Sequence, residues 1–126
     1  MILRDDYFGN MSHQYAPSEE VIFNAETLLT RVNALCAFLG IKPKVNSGWR
    51  PKAYNATVPG AAINSKHITG QAIDLADPDG ELDDILFKDQ TILEKHQLFM
   101  EHPASTKGWC HLQSVAPRSG NRVFFP

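Results

Sequence analysis

Cysteine is nearly absent from this chain. Cys36 and Cys110 are its two cysteines in 126 residues, one inside a helical pattern and one inside a strand pattern. They make no disulfide framework and are expected to be reduced thiols. A charge excess of either sign is also missing. Twelve Lys and Arg stand against 14 Asp and Glu, for a formal net charge of −2, so no broad basic field is available to hold a phosphate backbone. That excludes nucleic acid as the expected partner. Nor is there a long hydrophobic run. The start, MILRDDYFGNMSHQ, carries two acids where a secretory leader would have a basic stretch and then at least about seven apolar residues. No later segment approaches a membrane span. The expectation is cytoplasmic synthesis without a signal peptide. Repeats and low-complexity tracts are absent too.

What the chain does have is a hydrophobic content of 43%, enough to close one core without partners, so residues 1–126 read as a single, monomeric domain. The first eighteen residues show no steady period. From Ser18 the pattern changes: Val21, Ile22, Ala25, Leu28, Leu29, Val32, Leu35, Cys36 and Leu39 follow the three-and-four spacing of one buried helical face. Ser18 suits the N-cap, Glu19 and Glu20 the positive end of the dipole, and Gly40 the stop. This helix is scaffold.

Residues 44–50, KVNSGWR, read as a short strand entering a turn at Pro51. Residues 52–65 lack a core period and are expected to form a surface loop. A brief strand follows at 71–75, with Ala72 and Asp74 on one face and Ile73 and Leu75 on the other. Residues 77–80 form a turn. Two short helical segments are predicted within 81–97, burying Leu82, Ile85, Leu86, Ile92 and Leu93. A strand is predicted at 98–101. From 109 to 113, Trp109, His111 and Gln113 share one face, and Cys110 and Leu112 the other. The run 123–125 suits a sheet edge. These elements predict an α+β fold: a long helix near the N-terminus and shorter ones on a small, mostly antiparallel sheet.

Chemistry concentrates in SKHITGQAID, residues 65–74. Imidazole nitrogen and carboxylate oxygen are good ligands for first-row metals, and a catalytic zinc typically takes three protein ligands and keeps a fourth position open. His67 and Asp74 supply two from one loop and strand, and His111 supplies the third if strands 71–75 and 109–113 are neighbours. Gly70 lets the chain turn back, and Ala72 leaves room beside Asp74. Two neutral imidazoles and one carboxylate leave a divalent ion net positive, the condition for activating water near neutrality. A competing calcium reading of DLADPDGELDD fails. Counted back from Gly80, the first loop position falls on Leu75 and the twelfth on Leu86, where oxygen ligands are required. That stretch reads as a Pro-Asp-Gly turn with a solvated acidic flank.

The elements NSGWRP, SKHITGQAIDLAD and GWCHLQ, in that order, resemble peptidase family M15, the zinc D-Ala-D-Ala carboxypeptidases and endolysin-type peptidases, whose fold is shared with the hedgehog signalling domain. The resemblance covers roughly residues 44–113, and the chain is similar to small phage or prophage members, which act on the cell wall after release. It implies one zinc per chain on His67, Asp74 and His111, with Ser65 beside the metal as a substrate-binding residue. Arg50 stands where the family's arginine holds a substrate carboxylate, a role that a planar guanidinium suits on chemical grounds.

One position departs from the pattern. Family members usually carry an acidic residue three positions before the last histidine as general base, and here that position is Gly108. The first candidate to replace it is Glu101, and the second is Asp77. The function expected is therefore hydrolysis of amide bonds in peptidoglycan stem or cross-link peptides. The alternative, favoured by Gly108, is a zinc-stabilised, non-catalytic binding or phage assembly module of the same fold.

Overall fold

The computed structural model describes residues 1–126 as a mixed α/β arrangement around a five-stranded, mostly antiparallel sheet. The chain runs α1 (Arg4–Phe8), α2 (Met11–Gln14), α3 (Glu19–Leu39), β1 (Val45–Ser47), α4 (Lys52–Asn55), β2 (Ala72–Asp77), α5 (Glu81–Lys88), α6 (Thr91–Lys95), β3 (Phe99–Glu101), a 3-10 turn (Pro103–Ser105), β4 (Gly108–Gln113) and β5 (Val123–Phe124). Strand order is β1-β2-β4-β3-β5, antiparallel throughout except for the parallel pair β3–β5.

Helix α3 forms where the three-and-four spacing demands it. Ser18 Oγ accepts the Val21 N–H at 3.2 Å, and Gly40 ends the helix in the left-handed conformation. Ala25, Leu28, Leu29, Val32, Leu35 and Cys36 are buried along its inner stripe, while Phe23 and Phe38 stay exposed. Truncating one of the fully buried leucines, Leu28 or Leu35, would cost about 2–5 kcal/mol.

The sheet has two chemically distinct faces because side chains alternate along each strand. Ile73 and Leu75 of β2, Cys110 and Leu112 of β4 and Met100 of β3 have no solvent exposure and join α3 in the core. The other face carries Asp74, His111 and Gln113. The β2–β4 register pairs Asp74 with His111, and the β3–β4 register pairs Phe99 with Gln113 and Met100 with Leu112. One further step of that register sets Glu101 opposite His111. Since Ser47 pairs with Asp74 and Glu101 with Phe124, one row crosses the whole sheet: Ser47, Asp74, His111, Glu101, Phe124.

Four sequence expectations need correction. The first eighteen residues contain α1 and α2, and Tyr7 and Phe8 of α1 are core residues. The stretch 52–65 is not all surface loop, because it opens with α4 and buries Asn55. Ile85 is 43% exposed rather than part of the buried side of α5. The acidic flank is not fully solvated, since Asp77 and Asp83 are buried. Asp77 accepts the N–H groups of Leu82 and Asp83 at 3.1 and 2.9 Å, so its carboxylate caps the first turn of α5. Occupied in this way, Asp77 is no substitute base.

Candidate metal centre

His67, Asp74 and His111 come together from one loop and two neighbouring strands. Each offers a ligand atom, and these atoms all lie within 4.8 Å of one another. The β2–β4 register brings Asp74 and His111 side by side, with His111 Nδ1 2.9 Å from Asp74 Oδ1. His67 arrives from above on the loop before β2, with Nε2 3.3 Å from Asp74 Oδ2. The two imidazole rings meet edge to face with centroids 5.4 Å apart.

His67 is the most enclosed of the three, with 1% of its side chain exposed against 15% for Asp74. Its Nδ1 meets the Gly48 carbonyl oxygen at 2.8 Å. A carbonyl oxygen only accepts, so Nδ1 carries the hydrogen and Nε2 presents a lone pair toward Asp74. That Nε2 is buried and has no hydrogen-bond partner. The pocket around His67 is pinned from several sides. The Arg50 N–H donates to the His67 carbonyl at 3.1 Å, the Trp49 indole N–H to the Ile68 carbonyl at 3.0 Å, and the Asn24 amide to the Thr69 carbonyl at 3.0 Å. Gly48 itself leaves no room for a side chain: an added Cβ would sit 1.8 Å from the Tyr7 carbonyl oxygen. Tyr7 in turn donates its hydroxyl to the Ala72 carbonyl at 2.9 Å, fixing the start of β2.

Electrostatics match the geometry. Burial alone would raise the Asp74 carboxyl, but the hydrogen bond from His111 and the close approach of His67 outweigh it and hold the group well below the usual carboxylate range. For His111, burial opposes the charged ring, and the hydrogen bond and charge of Asp74 override it, so its pKa is raised. Glu101 is pushed up, chiefly by burial and despite the opposing pull of His111. Its Oε1 lies 3.8 Å from His111 Nε2, with 19% of the side chain exposed.

The residues suit a zinc ion. Two ligands on a tetrahedral zinc with bonds of about 2.0–2.1 Å are about 3.3 Å apart, and His67 Nε2 and Asp74 Oδ2 are separated by 3.3 Å. A buried, unpartnered imidazole nitrogen beside a carboxylate is otherwise costly to maintain. Both cysteines lie elsewhere: Cys110 is turned into the core, as strand alternation predicts, and Cys36 belongs to α3.

The other predicted residues are placed as follows. Arg50 follows β1, is partly buried, and has an Nε that is buried and unpartnered. Its backbone N–H, bonded to the His67 carbonyl, sets it beside the loop that carries that histidine. Ser65 Oγ accepts the His67 N–H at 3.2 Å, shaping the loop that carries the histidine. Gly108 has φ +99 and is exposed. A residue three positions before His111 also falls on the opposite face of β4, so an acid there would be strained and would point away from the cluster. Glu101 approaches from the adjacent strand instead. Sequence reasoning missed Gly48 and Gln113 as partners of the two histidines. Only the shared face of His111 and Gln113 was visible in the alternation of β4. A cavity of about 490 Å³ beside α1, α3 and β1 shares no residue with this cluster.

This is a candidate metal centre laid across the polar face of the sheet in a mixed α/β fold. The peptidase M15 model matches residues 8–113, which covers most of the chain. The protein belongs to the peptidase M15 family. Comparison with curated proteins and with solved structures finds no match.

Proposed function

We propose that this protein is a zinc-dependent peptidase that hydrolyses amide bonds in peptidoglycan stem or cross-link peptides, as a carboxypeptidase or an endopeptidase. The observation that carries the reading is the buried, unpartnered Nε2 of His67, held 3.3 Å from Asp74 Oδ2. His67, Asp74 and His111 would hold one zinc ion per chain. When bound, the ion supplies Lewis acidity to the scissile carbonyl and to the attacking water.

The chain's own residues supply the rest. Arg50, with its buried free Nε, docks a substrate carboxylate through its planar fork. Ser65 shapes the loop with its oxygen and offers its hydroxyl hydrogen to the substrate. Glu101 takes a proton from the attacking water and returns it to the departing amine. Burial raises its pKa, which makes it a better proton acceptor than an exposed glutamate. Its position opposite His111 supports this role and explains how the family's acid can be missing at Gly108.

The test is release of new amino groups from peptidoglycan, or from defined muropeptides, by the purified protein with and without a chelator. Release is expected only with metal, and undiminished release after complete metal removal overturns the proposal. His67→Ala and Asp74→Ala should lose bound zinc and activity together. One zinc per chain retained in either variant refutes the ligand assignment. The second reading, a zinc-stabilised binding or phage assembly module, rests on Gly108, and it predicts stoichiometric zinc with no amide cleavage in any muropeptide.

A further inference from the structure

The side-chain amide of Gln113 joins two groups whose chemistry leaves a single orientation open. Its Nε2 lies 2.9 Å from the Val115 carbonyl oxygen, and its Oε1 lies 2.9 Å from His111 Nε2. The Val115 oxygen can only accept, so the end of the amide that meets it must be the NH2 group. The other end is then an oxygen, which also only accepts, so His111 Nε2 carries a hydrogen. In the neutral ring, the form able to ligate an ion, this leaves the lone pair on Nδ1, which with no ion bound instead donates a hydrogen to Asp74. Nδ1 is the atom that faces Asp74 Oδ1 at 2.9 Å.

We propose that Gln113 is a positioning residue that relays the polarity of the Val115 carbonyl to His111 and commits its Nδ1 to a divalent ion. The relay also protects Glu101. Oε1 of Glu101 stands 3.8 Å from the same His111 Nε2, beyond hydrogen-bond reach. With the Nε2 hydrogen already taken by Gln113, the carboxylate is left for water. Gln113 is 4% exposed, so its amide is held away from bulk solvent. His67 reaches the complementary state by a shorter route, its Nδ1 hydrogen accepted by the Gly48 carbonyl at 2.8 Å. The two imidazoles therefore offer opposite nitrogens, Nε2 from His67 and Nδ1 from His111, and each choice is enforced by a backbone carbonyl.

The inference rests on the metal-centre reading, and its test needs no substrate. In cadmium-loaded protein, nitrogen NMR of the histidines should show metal coupling to Nδ1 of His111 and Nε2 of His67. Gln113→Met, which keeps the length and loses the acceptor, should lower zinc affinity roughly 10- to 100-fold in a competition titration against a chromophoric chelator. Gln113→Glu keeps an acceptor toward His111 while losing the donor to Val115, and should stay close to the wild-type affinity. A merely structural role predicts the reverse, with both variants falling alike.

Coupling to Nε2 of His111 in the wild type overturns the proposal, and that measurement does not depend on any variant folding. So does zinc affinity of Gln113→Met within about twofold of wild type, or loss in Gln113→Glu as large as in Gln113→Met. A protein with the expected couplings and variant series that cleaves no muropeptide overturns the peptidase reading and upholds the relay. A wild type that takes up no divalent ion overturns both.

Discussion

At the scale of single residues, the site is a carboxylate shared between two imidazoles with a second acid one strand away. Asp74 holds the pair together, and its low pKa follows from the hydrogen bond of His111 and the closeness of His67 overcoming burial. Glu101 differs because it lacks a hydrogen-bond donor, and burial pushes it the other way. The isosteric change Glu101→Gln should therefore leave zinc content at one per chain while cutting kcat on a muropeptide by roughly 10²–10⁴-fold, the usual share of a general base. Metal analysis and a rate assay on the same preparation check it. The clustering of His67, Asp74 and His111 was legible in the sequence because donor type, the Gly70 turn and strand alternation converge on it. Gly48 and Gln113 were not legible as histidine partners. A backbone carbonyl carries no residue identity, and a glutamine's partner is settled only by tertiary contact.

At the scale of elements, each working side chain depends on how a short segment is braced. The turn after β1 packs so closely on α1 that Gly48→Ala drives a methyl group into the Tyr7 carbonyl. The displaced turn should cost about 1–3 kcal/mol, read as a lowered thermal midpoint, and should weaken zinc binding as the His67 acceptor moves. Helix α5 offers a pH-dependent test. Asp83 is buried with Oδ1 unpartnered and Oδ2 accepting from Thr106 Oγ1 at 2.7 Å. Burial raises its pKa, outweighing the Thr106 hydrogen bond. A carboxyl with a raised folded-state pKa adds stability that is complete below the unfolded value of about 3.9 and is lost as pH rises through the folded value. Asp83→Asn should thus raise the melting temperature at neutral pH, with the gain vanishing in acid. A variant less stable than wild type at neutral pH would contradict this.

The sequence shows α3 and β4 plainly because each runs long enough to display its period. It hides α1 and α2, of five and four residues, because a helix that short has no period to show and forms only against neighbours such as Trp49, whose ring lies 5.7 Å from Phe8. The buried Asp83 was equally hidden, since its partner Thr106 lies 23 positions away.

At the scale of the whole molecule, the sheet separates two tasks. One face closes the core with α3, and the other carries the candidate metal cluster. Because the ligands come from a loop and two strands, an ion bound there ties those parts to one another in the folded state alone. Zinc at a thousandfold excess over its Kd should therefore stabilise the fold by about 4 kcal/mol. Differential scanning fluorimetry with zinc and then with a chelator should show the midpoint rise and fall back. An unchanged midpoint would mean that no ion engages the native state.

The row from Ser47 to Phe124 has a consequence for how relatives of this chain can vary in length. A strand has only two sides, so inserting or deleting one residue within β2 or β4 would exchange Asp74 for Ile73 or Leu75, or His111 for Cys110 or Leu112. Such indels would put a greasy side chain in the cleft and an ionisable one in the core. Growth and shrinkage of the chain should be tolerated instead in the segments 56–64 and 116–121, where extra residues leave the parity of every strand intact.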